Sequence, residues 1–239
     1  MALRSINTRP AEKLERRMGL KRTWVVLLKV ISLTSIIMTV DVRFETIDGI
    51  CYTWVNGIKG TLTANDTKLL LTCASTLDEN CRYVETGSYL GCSSVLVALG
   101  SKATVWAHDI WVNDWSELDG TIPPPETENY FLKFYEGVLA NKLENRVIPI
   151  RGKSADTLKI HPLKSIDLAF IDGDHSYKGC FTDLELIFPR MKPGTVILLH
   201  DCWDDSECYK AVSDFAIMHS LQWQRATGTS GLVRIPVPA

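Results

Sequence analysis

The sequence lacks the marks of several common protein classes. Its seven cysteines are odd in number and contain no C-x-x-C pair. That pattern supplies neither a zinc knuckle nor a disulfide scaffold. Charge of one sign is not in excess, with a net charge of -2. Nothing therefore draws the chain as a whole to nucleic acid, and no nucleic-acid partner is expected. Internal repeats, low-complexity tracts and a Tyr-x-x-x-Lys pair are all missing. No apolar run reaches the ~20 residues of a spanning helix. The longest, Trp24 to Val40, is interrupted by Lys29 and by four hydroxyl residues. What remains is 239 residues, 46% hydrophobic and 23% charged. That is enough for one α/β domain with an extension.

The informative stretch runs from Ile166 to Cys202. An apolar run, Ile166 to Ile171, ends in Asp172-Gly173-Asp174-His175. Such a run reads as a buried parallel strand, and open α/β sheets bind ligands just past the carboxyl ends of their strands. A helix is expected from about Lys178 to Met191, with Phe181, Leu184, Ile187 and Phe188 at helical spacing and Lys192-Pro193-Gly194 as its stop. A strand over Thr195 to Leu199 then ends in His200-Asp201. A right-handed crossover makes the two strands near neighbours, with Asp172, Asp174, His175, His200 and Asp201 along one edge. Upstream, Tyr83 to Glu85 runs into the glycine turn Thr86-Gly87-Ser88-Tyr89-Leu90-Gly91-Cys92-Ser93, and a helix follows over Ser94 to Leu99. Glycine there permits positive φ and a close approach of backbone to ligand. The next strand, Ala103 to Ala107, ends in His108-Asp109. An acid about twenty residues beyond such a turn suits a ribose diol.

These segments resemble class I S-adenosylmethionine-dependent methyltransferases. The closest group is the one containing sugar O-methyltransferases of macrolide and aminocoumarin biosynthesis; catechol-type O-methyltransferases are more distant. Glu85 to Gly91, Phe170 to Tyr177, and Lys192-Pro193-Gly194 ahead of His200-Asp201 carry the likeness, which spans Gly57 to Val233. It implies a Rossmann-like, doubly wound, mostly parallel sheet with a C-terminal antiparallel hairpin. S-adenosylmethionine is then held by Glu85, Gly87, Ser88, Tyr89, Gly91, Ser93 and Asp172, with Asp109 on the ribose and Ser154 beside the adenine. The other substrate is a small hydroxylated acceptor such as a sugar. The resemblance makes Asp172 and Asp201 ligands of Mg²⁺ or Mn²⁺ and Asp174 the base. Relatives carry a second acid or amide beside Asp201; here the neighbours are His200 and Cys202. His200 is the candidate third ligand, an imidazole better suited to Mn²⁺ than to Mg²⁺. His175, with an unperturbed pKa near ~6.5, is the metal-free alternative base. A Rossmann-like binding protein that has lost the reaction and a nicotinamide-dependent oxidoreductase are the competing readings.

Residues 1–56 are expected to form an extension and 57–239 the methyltransferase domain. The extension opens with a basic flank and continues into Trp24 to Val40, either a signal anchor or a buried or amphipathic segment. Cytoplasmic residence is the first reading, supported by reduced-looking cysteines within expected elements; membrane anchoring through 24–40 is the alternative. Val42 to Gly60 reads as irregular, and Thr67 to Leu77 as a helix capped by Asn65 or Asp66. Val112 to Thr127, with Pro123-Pro124-Pro125, reads as a long loop, either a substrate lid or a plain insertion. Tyr130 to Leu143 reads as a helix buried along Phe131, Phe134, Tyr135 and Val138. A helix over Tyr209 to His219 and a strand pair over Leu221 to Arg225 and Gly231 to Ile235 close the chain. Oligomeric state leaves no trace in the sequence.

Overall fold

The computed structural model describes residues 22–31, 37–47, 50–111, 129–161 and 164–239. The basic flank and the proline-rich loop therefore lie outside the described residues.

Four strands come first: β1 (Arg22–Ile31), β2 (Ile37–Ile47), β3 (Ile50–Val55) and β4 (Ile58–Gly60), antiparallel and paired in that order. The run Trp24 to Val40 is therefore no continuous helical anchor. It contributes to two strands in register from Arg22↔Thr46 to Ile31↔Ile37. The β-branched content of both strands favours that outcome. Among the described residues no helix is long and apolar enough to cross a membrane. Val42 to Gly60, expected to be irregular, is mostly strand. Val40-Asp41-Val42-Arg43-Phe44-Glu45 alternates with the period of a half-buried strand, and Val40 and Val42 are buried. Asn56 and Gly57 link β3 to β4 with φ of 47° and 86°, as a two-residue hairpin turn requires. The boundary expected between 56 and 57 falls within that turn, between two paired strands.

The sheet docks directly on the rest of the chain. A Cβ on Gly60 would lie 2.6 Å from the Cys92 Cβ, so only glycine lets β4 rest there. Asn56 Nδ2 donates to Asn141 Oδ1 at 2.5 Å. Val40, Val42 and Val55 share one core with α1 (Ala64–Ala74), α2 (Cys92–Gly100) and α3 (Tyr130–Ala140). The cap of α1 is Thr63, not Asn65 or Asp66; Asp66 occupies the third helical position and completes a capping box with Thr63. Along α3, Phe134 and Val138 are buried as expected, but Tyr135 is 38% exposed and Tyr130 takes a buried place.

The larger sheet holds β5 (Arg82–Thr86), β6 (Thr104–Asp109), β7 (Val147–Arg151), β8 (Ile166–Ile171), β9 (Met191–Leu199), β10 (Gln224–Arg225) and β11 (Val233–Pro236). Its order is β10-β11-β9-β8-β5-β6-β7. β5 to β9 run parallel, and β11 and β10 complete the edge as an antiparallel pair. Successive residues of one strand feed opposite cores. Tyr83, Leu168, Phe170 and Leu198 face α1 to α3. Val84, Ala169, Ile171, Ile197 and Leu199 face α4 (Ser154–Ile160), α5 (Tyr177–Ile187) and α6 (Glu207–Met218). Lys192-Pro193-Gly194 does not precede β9 but lies inside it, at a register irregularity against β8. A short 3₁₀ turn, Phe188–Arg190, ends α5 instead. The order in which strands are added reverses between β5 and β8, which creates the crevice where doubly wound sheets take their ligands.

Candidate active site

A cavity of about 780 Å³ opens at that crevice, within the size range of small-molecule sites. One wall comes from the ends of β5, β6 and β7: Gly87, Tyr89, Asp109, Trp111 and Ser154. A second comes from the loops after β8 and β9: Asp172, Asp174, His175 and Asp201. The third comes from β3, β4 and the residue after them, through Tyr52, Lys59, Gly60 and Thr61.

Backbone geometry makes the first wall. Gly87 has a φ of 81°, and a Cβ on it would lie 1.9 Å from the Asp172 carbonyl oxygen. The turns after β5 and β8 can touch only because that side chain is missing. Asp109 holds the wall together: Oδ2 accepts from the Tyr89 backbone N–H at 2.8 Å and Oδ1 from that of Trp111 at 2.6 Å. Burial raises the Asp109 pKa against those hydrogen bonds. Tyr89, Trp111 and Asp201, all lining the cavity, have positive φ at 46°, 43° and 56°. Non-glycine residues in this region are uncommon, and strained backbone gathers at functional sites.

The expected donor-binding residues divide in two. Gly87, Tyr89, Asp109, Ser154 and Asp172 line the cavity. Glu85, Ser88, Gly91 and Ser93 stand behind it. The Glu85 carboxylate is fully buried and accepts from Tyr83 Oη at 2.5 Å, Ser93 Oγ at 2.9 Å and Ser94 Oγ at 2.7 Å. Burial pushes its pKa up to about 7 even so. Glu85 thus braces the turn from the core side, a position fixed by strand alternation with Tyr83.

The acid cluster is compact. His175 Nε2 lies 3.5 Å from Asp172 Oδ1 and 3.5 Å from Asp201 Oδ2. Ligating atoms of Asp172, His175 and Asp201 all fall within 4.8 Å of one another. Contact with Asp172 pushes His175 up to about 9, with Asp201 adding to it. Those carboxylates favour the protonated ring, and a cation bound between them would displace that proton and leave Nε2 free to ligate. His200 is placed differently from its expected role as a ligand. It is 3% exposed and does not line the cavity. Its Nδ1 is 3.2 Å from Asp172 Oδ1, and its Nε2 is 2.8 Å from Ser230 Oγ. Burial would lower its pKa, but Asp172, Asp201 and Asp66 together raise it well above the ordinary value. Asp66, buried yet held at about 2 by His200, Ser230 and Thr63, closes the network from the cap of α1. His200 thus stands behind the two acids as their counter-charge, and His175 is the third residue of the group that could hold a metal ion.

Sequence reasoning missed Tyr52, Lys59, Trp111, His108 and Asp183. His108 donates or accepts through Nδ1 at 2.8 Å from Thr157 Oγ1, and burial lowers its pKa to about 3, so the ring is neutral. Its buried Nε2 lacks a hydrogen-bond partner among the described residues, and the residue is part of the cavity lining. Asp183, also in the lining, is pushed up to about 6 by burial against the pull of the Ser154 and Thr86 hydroxyls. Tyr52 and Lys59 were hidden by reading their segment as irregular. The alternation beginning at Val40 was the available signal.

Fold and site together define a Rossmann-like enzyme of group transfer, with a cofactor crevice beside an acid cluster. Residues 84–202 match the model of a methyltransferase domain family. The O-methyltransferase NovP has a similar structure, with a TM-score of 0.55 and 16% identity over 73% of this chain and 80% of that one. An O-methyltransferase from Bacillus cereus in complex with SAH gives 0.55 and 16%, over 73% and 81%. The O-methyltransferase TomG from Streptomyces achromogenes, involved in tomaymycin synthesis and solved with SAM, gives 0.56 and 15%, over 74% and 81%. No curated protein matches the chain. Residues 84–202 are thus a methyltransferase domain, and the fold is the one that these structures with bound SAM or SAH share. The match favours methyl transfer over the oxidoreductase reading.

Proposed function

We propose that the chain methylates a hydroxyl oxygen of a small polar acceptor such as a sugar, with a divalent cation held by Asp172, His175 and Asp201. The observation that carries this reading is the convergence of those three donors in the same cavity as Gly87, Asp109 and Ser154. Two carboxylates and one imidazole fit Mn²⁺ well and Mg²⁺ less well. When bound, such a cation lowers the pKa of an acceptor hydroxyl. S-adenosylmethionine brings the methyl group on a sulfonium, already a good leaving group.

The chain's own residues supply alignment and proton handling. The Asp109 carboxylate, fixed by two backbone N–H groups, keeps lone pairs for a ribose diol. His108 and Asp183 line the same cavity, with their polar atoms buried at its edge. Asp174 is the base: it lines the cavity, and its Oδ1 is oriented by the Ser176 backbone N–H at 2.9 Å. His200 and Asp66 keep the acid pair in place from behind. Tyr52, Tyr89, Trp111 and Tyr130 line the cavity and supply aromatic surface for an acceptor's ring.

The test is transfer of a labelled methyl group to a panel of sugars, catechols and hydroxy acids, with and without chelator. Turnover that is lost in chelator and restored by Mn²⁺ supports the reading. Full turnover in excess chelator, or methylation of a nitrogen or carbon atom, would sink it.

A further inference from the structure

Cys180 and Cys208 lie sulfur to sulfur at 3.0 Å, and are 2% and 1% exposed. Neither lines the cavity, yet both stand directly behind it. Cys180 is in the first turn or so of α5, and Cys208 is in the first turn of α6. Those helices follow the loops that carry Asp172 to His175 and Asp201. The Cys180 sulfur is 3.3 Å from the Asp174 carbonyl oxygen, and the Cys208 sulfur is 3.4 Å from the His175 carbonyl oxygen. The backbone of the base and of one cation donor thus rests on two thiols. A disulfide bond of about 2.05 Å needs the sulfurs to approach by only about 1 Å more. The remaining cysteines show no such pairing among the described residues: Cys92 faces the Thr53 carbonyl and Cys202 the His200 carbonyl.

We propose that Cys180 and Cys208 are a reversible dithiol–disulfide pair that couples oxidation to the position of the acid cluster. The chemistry needs a two-electron oxidant of the peroxide class. One thiol attacks a peroxide oxygen, becoming a sulfenic acid as hydrogen peroxide leaves as one water. The second thiol then displaces the hydroxyl from that sulfur, releasing a second water and forming the S–S bond. Two thiols are oxidised and one peroxide is reduced. A thiol reductant reverses the reaction by exchange through a mixed disulfide. The bond draws the starts of α5 and α6 together and removes the S–H groups facing the Asp174 and His175 carbonyls. The link itself follows from the cysteine geometry alone; its consequence for catalysis rests on the acid-cluster reading above.

The full chain is treated with hydrogen peroxide, its remaining thiols are alkylated, and it is digested without reductant for mass analysis. A Cys180–Cys208 linked peptide, lighter than its parts by two hydrogens and lost in dithiothreitol, is expected. Cys180→Ser and Cys208→Ser should abolish it, with Cys180→Ala and Cys208→Ala as second variants should serine destabilise the core. The chain has five histidines, so ring resonances of histidine-labelled protein report on His175 without any acceptor or cation. These should shift on oxidation of the parent and stay put in the variants. Two free, alkylated thiols after peroxide, or a link that forms only in denaturant, would overturn the pair. A link that forms with the His175 resonances unmoved would overturn the coupling while leaving the proposed function standing.

Discussion

The two sheets of this chain wall the same cavity in different ways. The parallel sheet delivers functional groups at strand ends, where backbone direction alone places them: Gly87 after β5, Asp109 at the end of β6, Asp172 after β8 and Asp201 after β9. The antiparallel N-terminal sheet delivers Tyr52 and Lys59 from strand interiors, with Lys59 Nζ over the Tyr52 ring. The family match, over residues 84–202, covers the first and none of the second. The strand-end walls therefore lie within the family's stretch, and the third wall lies outside it. Under the proposed function, the comparison assigns donor binding and the base to the parallel sheet and a share in acceptor choice to the other.

The largest effect should come from the strand-end wall. Asp174→Asn is expected to slow turnover by about 10²–10⁴-fold while leaving S-adenosylhomocysteine affinity unchanged, as for other general bases. Steady-state rates beside calorimetry check it. Equal rates in variant and parent would remove Asp174 from the chemistry.

Next is the support beneath that wall. Glu85 has its pKa raised from 4.5 to about 7 in the folded state. A carboxyl with a raised folded pKa binds its proton more tightly when folded. Its contribution is fully present below pH 4.5 and is lost as pH rises through about 7. Stability from this group should fall by roughly 3 kcal/mol across that window. Glu85→Gln should flatten the corresponding slope in denaturant titrations at several pH values. An unchanged slope would mean that Glu85 is not the group responsible.

Asp109→Ala should weaken donor binding by about 1.5–3 kcal/mol, the worth of charge-assisted hydrogen bonds. The smallest effect belongs to the other sheet. Lys59 Nζ lies 3.8 Å from the Tyr52 ring centroid. Lys59→Gln should change relative rates among acceptors by roughly 0.5–1 kcal/mol, the scale of an exposed cation–π contact. Competing acceptors in one labelled-methyl assay would show it, and an unaltered acceptor ranking would deny that sheet its role.

The same contrast explains what was legible in the sequence. Strand ends punctuated by Gly and Asp announce themselves, so Gly87, Asp109, Asp172, Asp174 and Asp201 were found from order and spacing. Roles that depend on which way a side chain points were not. Glu85 sits beside the glycine turn in sequence, but strand alternation turns it into the core. His200 and His175 are chemically alike in sequence; only the packing of Asp66 and Ser230 behind His200 separates the buried counter-charge from the exposed donor. The N-terminal sheet is hard to read because Gly49 and Asn56-Gly57 are turn signals in the sequence, whereas the period-2 alternation over Val40 to Glu45 is short. Residues 24–40 were ambiguous because apolar β-branched runs suit a strand pair as well as a short anchor, and periodicity cannot separate the two.

The division of labour between the sheets is tested most directly by one calorimetric series. S-adenosylhomocysteine is titrated into the parent, Asp109→Ala and Lys59→Gln under identical conditions. Roughly 10- to 150-fold weaker binding is expected in Asp109→Ala, with Lys59→Gln indistinguishable from the parent. Weakened binding in Lys59→Gln with normal binding in Asp109→Ala would place the donor against the N-terminal sheet and contradict the assignment of both walls.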